Sequence, residues 1–215
     1  MQQTLSVAWH GAKSGRKCED IASTFKIAYQ EDRDKKHLIY FMDNCAGQNK
    51  NYTLFTSVIA AVNGPSIAAD TVTFRYLEAG HTFMSADSCH AAVEKQFKNK
   101  VNILDFEDLT TCIENAKAKV VTLSYAGFRS YEGQQSQSKL KKANRPMLSD
   151  IRVAEFRRGH KVLFYKSRHT DEQYYEFDYL KQKCNLQEPT RRLQPRGVPI
   201  AKKEDLVKKT YLFYA

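Results

Sequence analysis

Two polar clusters each follow a run of residues that reads as a β-strand, and between them they hold most of the chain's candidate chemistry. The first run, Leu38-Ile39-Tyr40-Phe41-Met42, leads into Asp43-Asn44-Cys45-Ala46-Gly47-Gln48-Asn49. The second, Val72-Thr73-Phe74-Arg75-Tyr76-Leu77, leads into Gly80-His81-Thr82 and then Ser85-Ala86-Asp87-Ser88-Cys89-His90, with Glu94 beyond. Ligands in open α/β sheets gather at the carboxyl ends of strands, so two such ends carrying Asp, His and Glu point to one shared site. His90 and Glu94 lie four apart and share a helical face, with Asp87 one turn before them. Carboxylates grouped in this way suit Mg²⁺ or Mn²⁺, which in pairs clamp the attacking and leaving oxygens of phosphoryl transfer. Zn²⁺ or Mn²⁺ held through His81 and His90, in a hydrolase acting on small phosphoesters, is the alternative.

Each residue also has a plainer reading. Asp87 suits a helix N-cap, Glu94 beside Lys95 and Lys98 a solvated helix face, and His90 a packing histidine. Asp43 is harder to assign that way, because an apolar strand runs straight into it and into Gln48 and Asn49. Cys45 and Cys89 read as small residues beside a site, with a thiolate nucleophile or soft-metal ligand as the alternative.

The elements that must position these groups follow from periodicity. Strands are expected over 4–9, 37–42, 71–77 and 120–125, with a short one over 101–104. Helices are expected over 18–29, 52–62, 85–98 and onward from 105, where Asp105, Glu107 and Asp108 suit an N-terminal dipole. Asn63-Gly64-Pro65 ends the second helix. The alternation β-α-β-α-β-α points to a three-layer α/β fold with some parallel pairing. Residues 132–144 are polar and of low complexity, a linker or loop between a core (1–131) and a C-terminal extension (145–215). Within that extension, 151–156 and 161–166 suit a hairpin across Arg157-Arg158-Gly159-His160. Residues 171–183 and 202–211 suit helices, and 188–199 a basic extended arm.

Charge is unevenly divided. Residues 139–215 hold 19 Lys and Arg against 9 Asp and Glu, whereas residues 1–138 balance at 15 of each. The whole excess of +10 therefore lies in the C-terminal third, as a nucleic-acid-facing surface requires. The cations expected to meet phosphate are Arg157, Arg158, Lys161, Lys166, Arg191, Arg192 and Arg196. A merely basic, well-solvated region is the alternative.

Other classes are poorly supported. With 42% hydrophobic and 27% charged residues the composition is that of a folded protein. No apolar run approaches the ~20 residues of a membrane span, and no signal-peptide pattern opens the chain; an intracellular, nuclear protein is expected. The five cysteines form no CxxC pair, so neither a zinc ribbon nor a disulfide framework is indicated. GxSxG, Walker A and GxGxxG motifs are absent.

Three stretches carry a resemblance. They are Trp9-His10-Gly11 through Ser14-Gly15-Arg16, Met42 through Asn51, and Gly80 through His90 with Val93-Glu94. With Phe156-Arg157-Arg158-Gly159, Leu163-Phe164-Tyr165-Lys166 and Arg196-Gly197-Val198-Pro199, they resemble an uncharacterised domain family of arthropod and cnidarian genomes associated with mobile elements. That family in turn resembles a ribonuclease-H-like (DDE-type) transposase core, a mixed sheet with flanking helices. The resemblance implies two aspartates and a third acid holding two Mg²⁺ or Mn²⁺ ions that hydrolyse or rejoin DNA. Asp43 would be the second acid, at the end of the fourth strand. Glu94 would be the third, with Asp87 as the alternative. No strand precedes residues 4–9 to supply the first acid, and Glu19 and Asp20 fall on a helix. The chain is thus expected to start near the third strand of such a core and to leave a sheet edge exposed. DNA is the expected partner, with no membrane; a homo-oligomer is left open. A nucleic-acid-binding remnant or domesticated scaffold without catalysis is the second reading.

Overall fold

The computed structural model describes residues 4–45, 47–78, 85–100, 103–131, 145–181, 184, 186 and 189–214. Its larger sheet has five strands in the order β2-β3-β6-β7-β8. These are β2 (His37–Met42), β3 (Thr71–Tyr76), β6 (Val153–Arg157), β7 (Leu163–Lys166) and β8 (Tyr175–Phe177). Strands β2 and β3 run parallel, Leu38 opposite Val72 and Met42 opposite Tyr76. Each later pairing is antiparallel. A separate parallel pair joins β1 (Thr4–Ala8) to β4 (Ala118–Thr122), and a short antiparallel pair joins β5 (Arg129–Ser130) to β9 (Thr190–Arg191). The protein is therefore mixed α/β, with five helices among the described residues.

The helices form where apolar spacing and caps agree. In α1 (Cys18–Glu31), Asp20 in the first turn accepts the Lys17 amide at 2.8 Å. In α2 (Tyr52–Asn63), the Asn51 side chain caps by accepting the Leu54 amide at 2.8 Å. Asp105 does the same for Asp108 at the start of α4 (Phe106–Asn115). Helix α3 (Ser85–Asn99) begins at Ser85, so Asp87 and Ser88 lie in its first turn rather than at the cap position. Helix α5 (Ile200–Tyr214) follows the basic arm.

The core is the layer between α2 and the sheet. Leu54, Phe55, Val58, Ile59 and Val62 are fully buried against Val72, Phe74, Ala154 and Phe156. Phe156 meets both Phe55 and Phe74 with ring centroids 5.6 Å apart. Helix α1 adds Phe25, 5.4 Å from Phe74. Burial of this aromatic cluster, at about 25 cal/mol per Å² of apolar surface, is the main stabilising contribution of the fold.

Three expectations differ from what is found. Strands β6, β7 and β8 continue the sheet of β2 and β3, so residues 153–177 belong to the core and residue 145 does not open an appendage. Residues 175–177 are a strand, not part of a helix over 171–183, because Tyr175 and Phe177 alternate in register with Tyr165 and Leu163 of β7. Residues 103 and 104 are not in a strand; 101, 102 and the polar stretch 132–144 lie outside the described residues. The hairpin of β6 and β7 forms as its spacing implies, turning at Gly159 with φ of +84°.

Candidate functional site

Asp43 sits immediately beyond the end of β2, beside β3, and is exposed. Its carboxylate is oriented by its own loop: the Cys45 amide (3.4 Å) and the Asn49 side-chain amide both donate to Oδ1. Oδ2 has no hydrogen-bond partner among the described residues. The loop is shaped by a turn in which the amides of Gln48 and Asn49 reach the Cys45 carbonyl, and it runs on into the Asn51 cap of α2. One carboxylate oxygen thus fixes the group and the other is presented outward.

Beneath this loop lies a lysine with no solvent exposure. Lys50 donates from Nζ to Asn44 Oδ1 at 2.6 Å, and its ammonium lies 4.6 Å from the centre of the Tyr76 ring. Burial pushes the Lys50 ammonium down to about 8, with the nearby Arg152 guanidinium acting in the same direction. Tyr76 donates its hydroxyl to the Asn49 carbonyl at 2.8 Å, tying the Asp43 loop to β3. The His169 Nε2 bonds the Tyr76 carbonyl at 3.0 Å as its donor, so a histidine from beyond β7 also reaches the end of β3. Lys50, Tyr76 and His169 escape sequence reasoning. Lys50 reads as one more polar residue of an Asn-Lys-Asn run, and His169 has no local pattern around it.

The other expected donors stand on α3. Asp87, His90 and Glu94 are all exposed on this helix, which packs against α4. His81 lies outside the described residues. Among the described residues no group of three or more His, Cys, Asp and Glu side chains is placed to hold a metal ion. Asp43, with Oδ2 outside its printed hydrogen bonds, is one exposed carboxylate able to serve as a divalent-cation donor, and Asp87 and Glu94 of α3 are others. Cys45 is exposed and Cys89 partly so, both as free thiols.

The expected phosphate-binding cations divide by environment. Arg158 gives its guanidinium to the carbonyls of Ala69, Ile67 and Gly64, a clamp on the loop between α2 and β3. Arg192 pairs with the buried Asp20 at 2.8 Å and with Glu19 at 3.5 Å. Arg157 pairs with Glu155 at 2.8 Å and lies over the Phe164 ring at 3.9 Å, while Lys166 donates to the Asp171 carbonyl at 2.6 Å. Lys161, Arg191 and Arg196 are exposed. Arg191 faces Arg129 across the β5–β9 pair. Burial lowers the Lys26 ammonium to about 8, and Arg129 and Arg191 add to the fall, which marks a concentrated positive field there.

Residues 12–176 match the model of a family described as a domain of unknown function (DUF7869). The chain belongs to that family. The matched stretch runs from the loop after β1 into β8, so it takes in the Asp43 loop, α3 and all but the end of the five-stranded sheet. No curated protein matches the chain, and no solved structure does.

Proposed function

We propose that this chain is a nucleic-acid-processing domain, of the transposase or nuclease type, in which Asp43 serves divalent-cation-dependent chemistry on a phosphodiester. The observation that carries the reading is the Asp43 carboxylate itself: exposed at the carboxyl end of a parallel strand pair, aligned through one oxygen and open at the other. In a ribonuclease-H-like arrangement β1, β2 and β3 take the places of the third, fourth and fifth strands. Glu94, with Asp87 as the alternative, then stands on the helix that follows the fifth. Bound there, Mg²⁺ or Mn²⁺ would supply Lewis-acid stabilisation of the phosphoryl oxygens. The chain's own part is to hold Asp43 against rotation through Asn49, and to hold that loop on β3 through Tyr76 and Lys50. Lys161, Arg191 and Arg196 would track the nucleic-acid backbone, and a nuclear location accompanies that role.

The test is hydrolysis of labelled DNA by the purified chain in Mg²⁺ or Mn²⁺. Cleavage is expected with either ion, and chelation or Asp43→Asn is expected to lower it at least ~100-fold, as the loss of a group acting on charge in the transition state does. Cleavage unchanged in Asp43→Asn would overturn the assignment. A binding-only scaffold is favoured by one observation, the lack of a gathered three-donor cluster among the described residues. It predicts salt-sensitive DNA binding, indifferent to Asp43→Asn, and no cleavage.

A further inference from the structure

Helices α1 and α2 leave a pocket between them. Lys26, Tyr29 and Gln30 line it from α1, and Ser57, Ala60 and Ala61 from α2. Both sets follow the three- and four-residue spacing that puts side chains on one helical face. The loop after α2 (residues 64–67), Tyr131 and Pro189 complete the lining. Ala60 and Ala61 carry one methyl each, so this stretch of α2 leaves the space before α1 unfilled. Ile67, Tyr131 and Pro189 are buried, which makes the wall a part of the packed interior. No Asp or Glu lines the pocket among the described residues.

Cations gather beside it. Ser23, one turn before Lys26, accepts the Arg129 amide at 3.0 Å and so docks β5 on α1. Arg129 then stands directly opposite Arg191 in the β5–β9 pair, a placement of like charges that costs stability. Tyr131 lies two residues beyond Arg129, and Pro189 two before Arg191; both line the pocket. Two is the side-chain repeat of an extended strand, so both arginines belong to the side of the pair that faces Lys26. The charges agree with that placement. Burial, then Arg129 and Arg191, lower the Lys26 ammonium to about 8, and burial followed by Arg191 lowers Arg129. An anion seated among the three relieves their repulsion, and a guanidinium offers the forked donors that carboxylate and phosphate accept.

The space sets the size of what carries the anion. The pocket holds about 200 Å³, and an apolar cavity of about 150 Å³ takes one benzene ring. One ring with a short substituent therefore fits. Ala60, Ala61, Pro65, Ile67 and Pro189 present hydrocarbon to it. Tyr29, also in the lining, has a buried hydroxyl with no hydrogen-bond partner among the described residues, a state folded proteins rarely leave unanswered.

We infer that this pocket binds a small organic anion built of one flat ring and a phosphate or carboxylate. The ring lies between α1 and α2, and the acid group meets Lys26, Arg129 and Arg191. The inference does not rest on the role of Asp43, and its readout needs neither metal nor cleavage.

The probes are phenyl phosphate and benzoate, titrated into the whole chain in EDTA and followed in its amide spectrum. Both are expected to give saturable shifts over residues 26–30, 57–67 and 131, with phenyl phosphate the tighter because it brings two charges. Phenol and inorganic phosphate each carry half of the ligand and are expected to bind at least about tenfold more weakly. Ala60→Leu fills the pocket from a half-buried position of α2. Lys26→Met removes the ammonium and keeps the apolar stem. Each is expected to weaken phenyl phosphate at least about tenfold, the amide spectrum reporting that the chain is folded, and Lys26→Met decides the matter where Ala60→Leu fails to fold. Absence of shifts at these residues would overturn the inference. So would equal shifts with inorganic phosphate, the response of a basic surface, or binding unchanged in both variants.

Discussion

At the scale of single residues, the Asp43 loop is supported from below by a charge with no access to water. Lys50 is retained by one side-chain oxygen and one aromatic face, weak compensation for a buried ammonium. Its ammonium sits near 8 in the folded protein, against an ordinary 10.5. Between these values the unfolded chain holds a proton that the folded chain has lost, so stability rises with pH across the window from about 8 to 10.5. Lys26, also lowered to about 8, adds to the same rise. The buried Tyr29, Tyr76 and Tyr179 act in the opposite sense, because burial raises their hydroxyls while the unfolded phenols ionise near 10. Stability should therefore climb from pH 8 and turn over near pH 10. Denaturant unfolding at pH 7, 8, 9 and 9.5–10 is expected to show a shallower climb for Lys50→Met than for the parent chain. An equal climb would remove Lys50 from the account.

At the scale of elements, what could be read from sequence was what short-range pattern decides. The apolar run 38–42 gave β2, the stripe Leu54, Phe55, Val58, Ile59 and Val62 gave α2, and the Gly159 turn gave the hairpin. Asp43 was legible for the same reason, as a polar stop to an apolar strand. Strand β8 was not, since Tyr174, Tyr175 and Phe177 satisfy either periodicity until β7 supplies a partner edge. Nor was the burial of Lys50, which depends on a ring from β3, or the approach of His169 to the Tyr76 carbonyl. Arg158 shows the same limit: a run of Arg157-Arg158-Gly159 reads as a phosphate contact, yet its guanidinium is occupied by three carbonyls of the loop before β3. Arg158→Ala should cost about 1–3 kcal/mol of stability, since it strips partners from partly buried carbonyls. Salt-dependent DNA binding, compared at a temperature where both proteins are folded, should be left nearly unchanged.

At the scale of the whole molecule, the C-terminal excess of positive charge is divided between cations that hold the fold and cations that face solvent. No helix of the described residues is long and apolar enough to cross a membrane, and the exposed Lys161, Arg191 and Arg196 are placed where a polyanion can reach them. Neutralising these three together should flatten the dependence of DNA affinity on salt by about two to three counterions, in contrast to Arg158→Ala. A slope that survives the triple substitution would locate the nucleic-acid surface elsewhere.

Under the proposed function, Asp43 and α3 share one divalent cation. Paramagnetic broadening by substoichiometric Mn²⁺ in the amide spectrum of the whole chain tests it most directly. Selective loss of the signals of Asn44 and Cys45 together with those around Asp87 to Glu94 is expected, with their return in Asp43→Asn. Broadening confined to other carboxylates, or unchanged in Asp43→Asn, would contradict it.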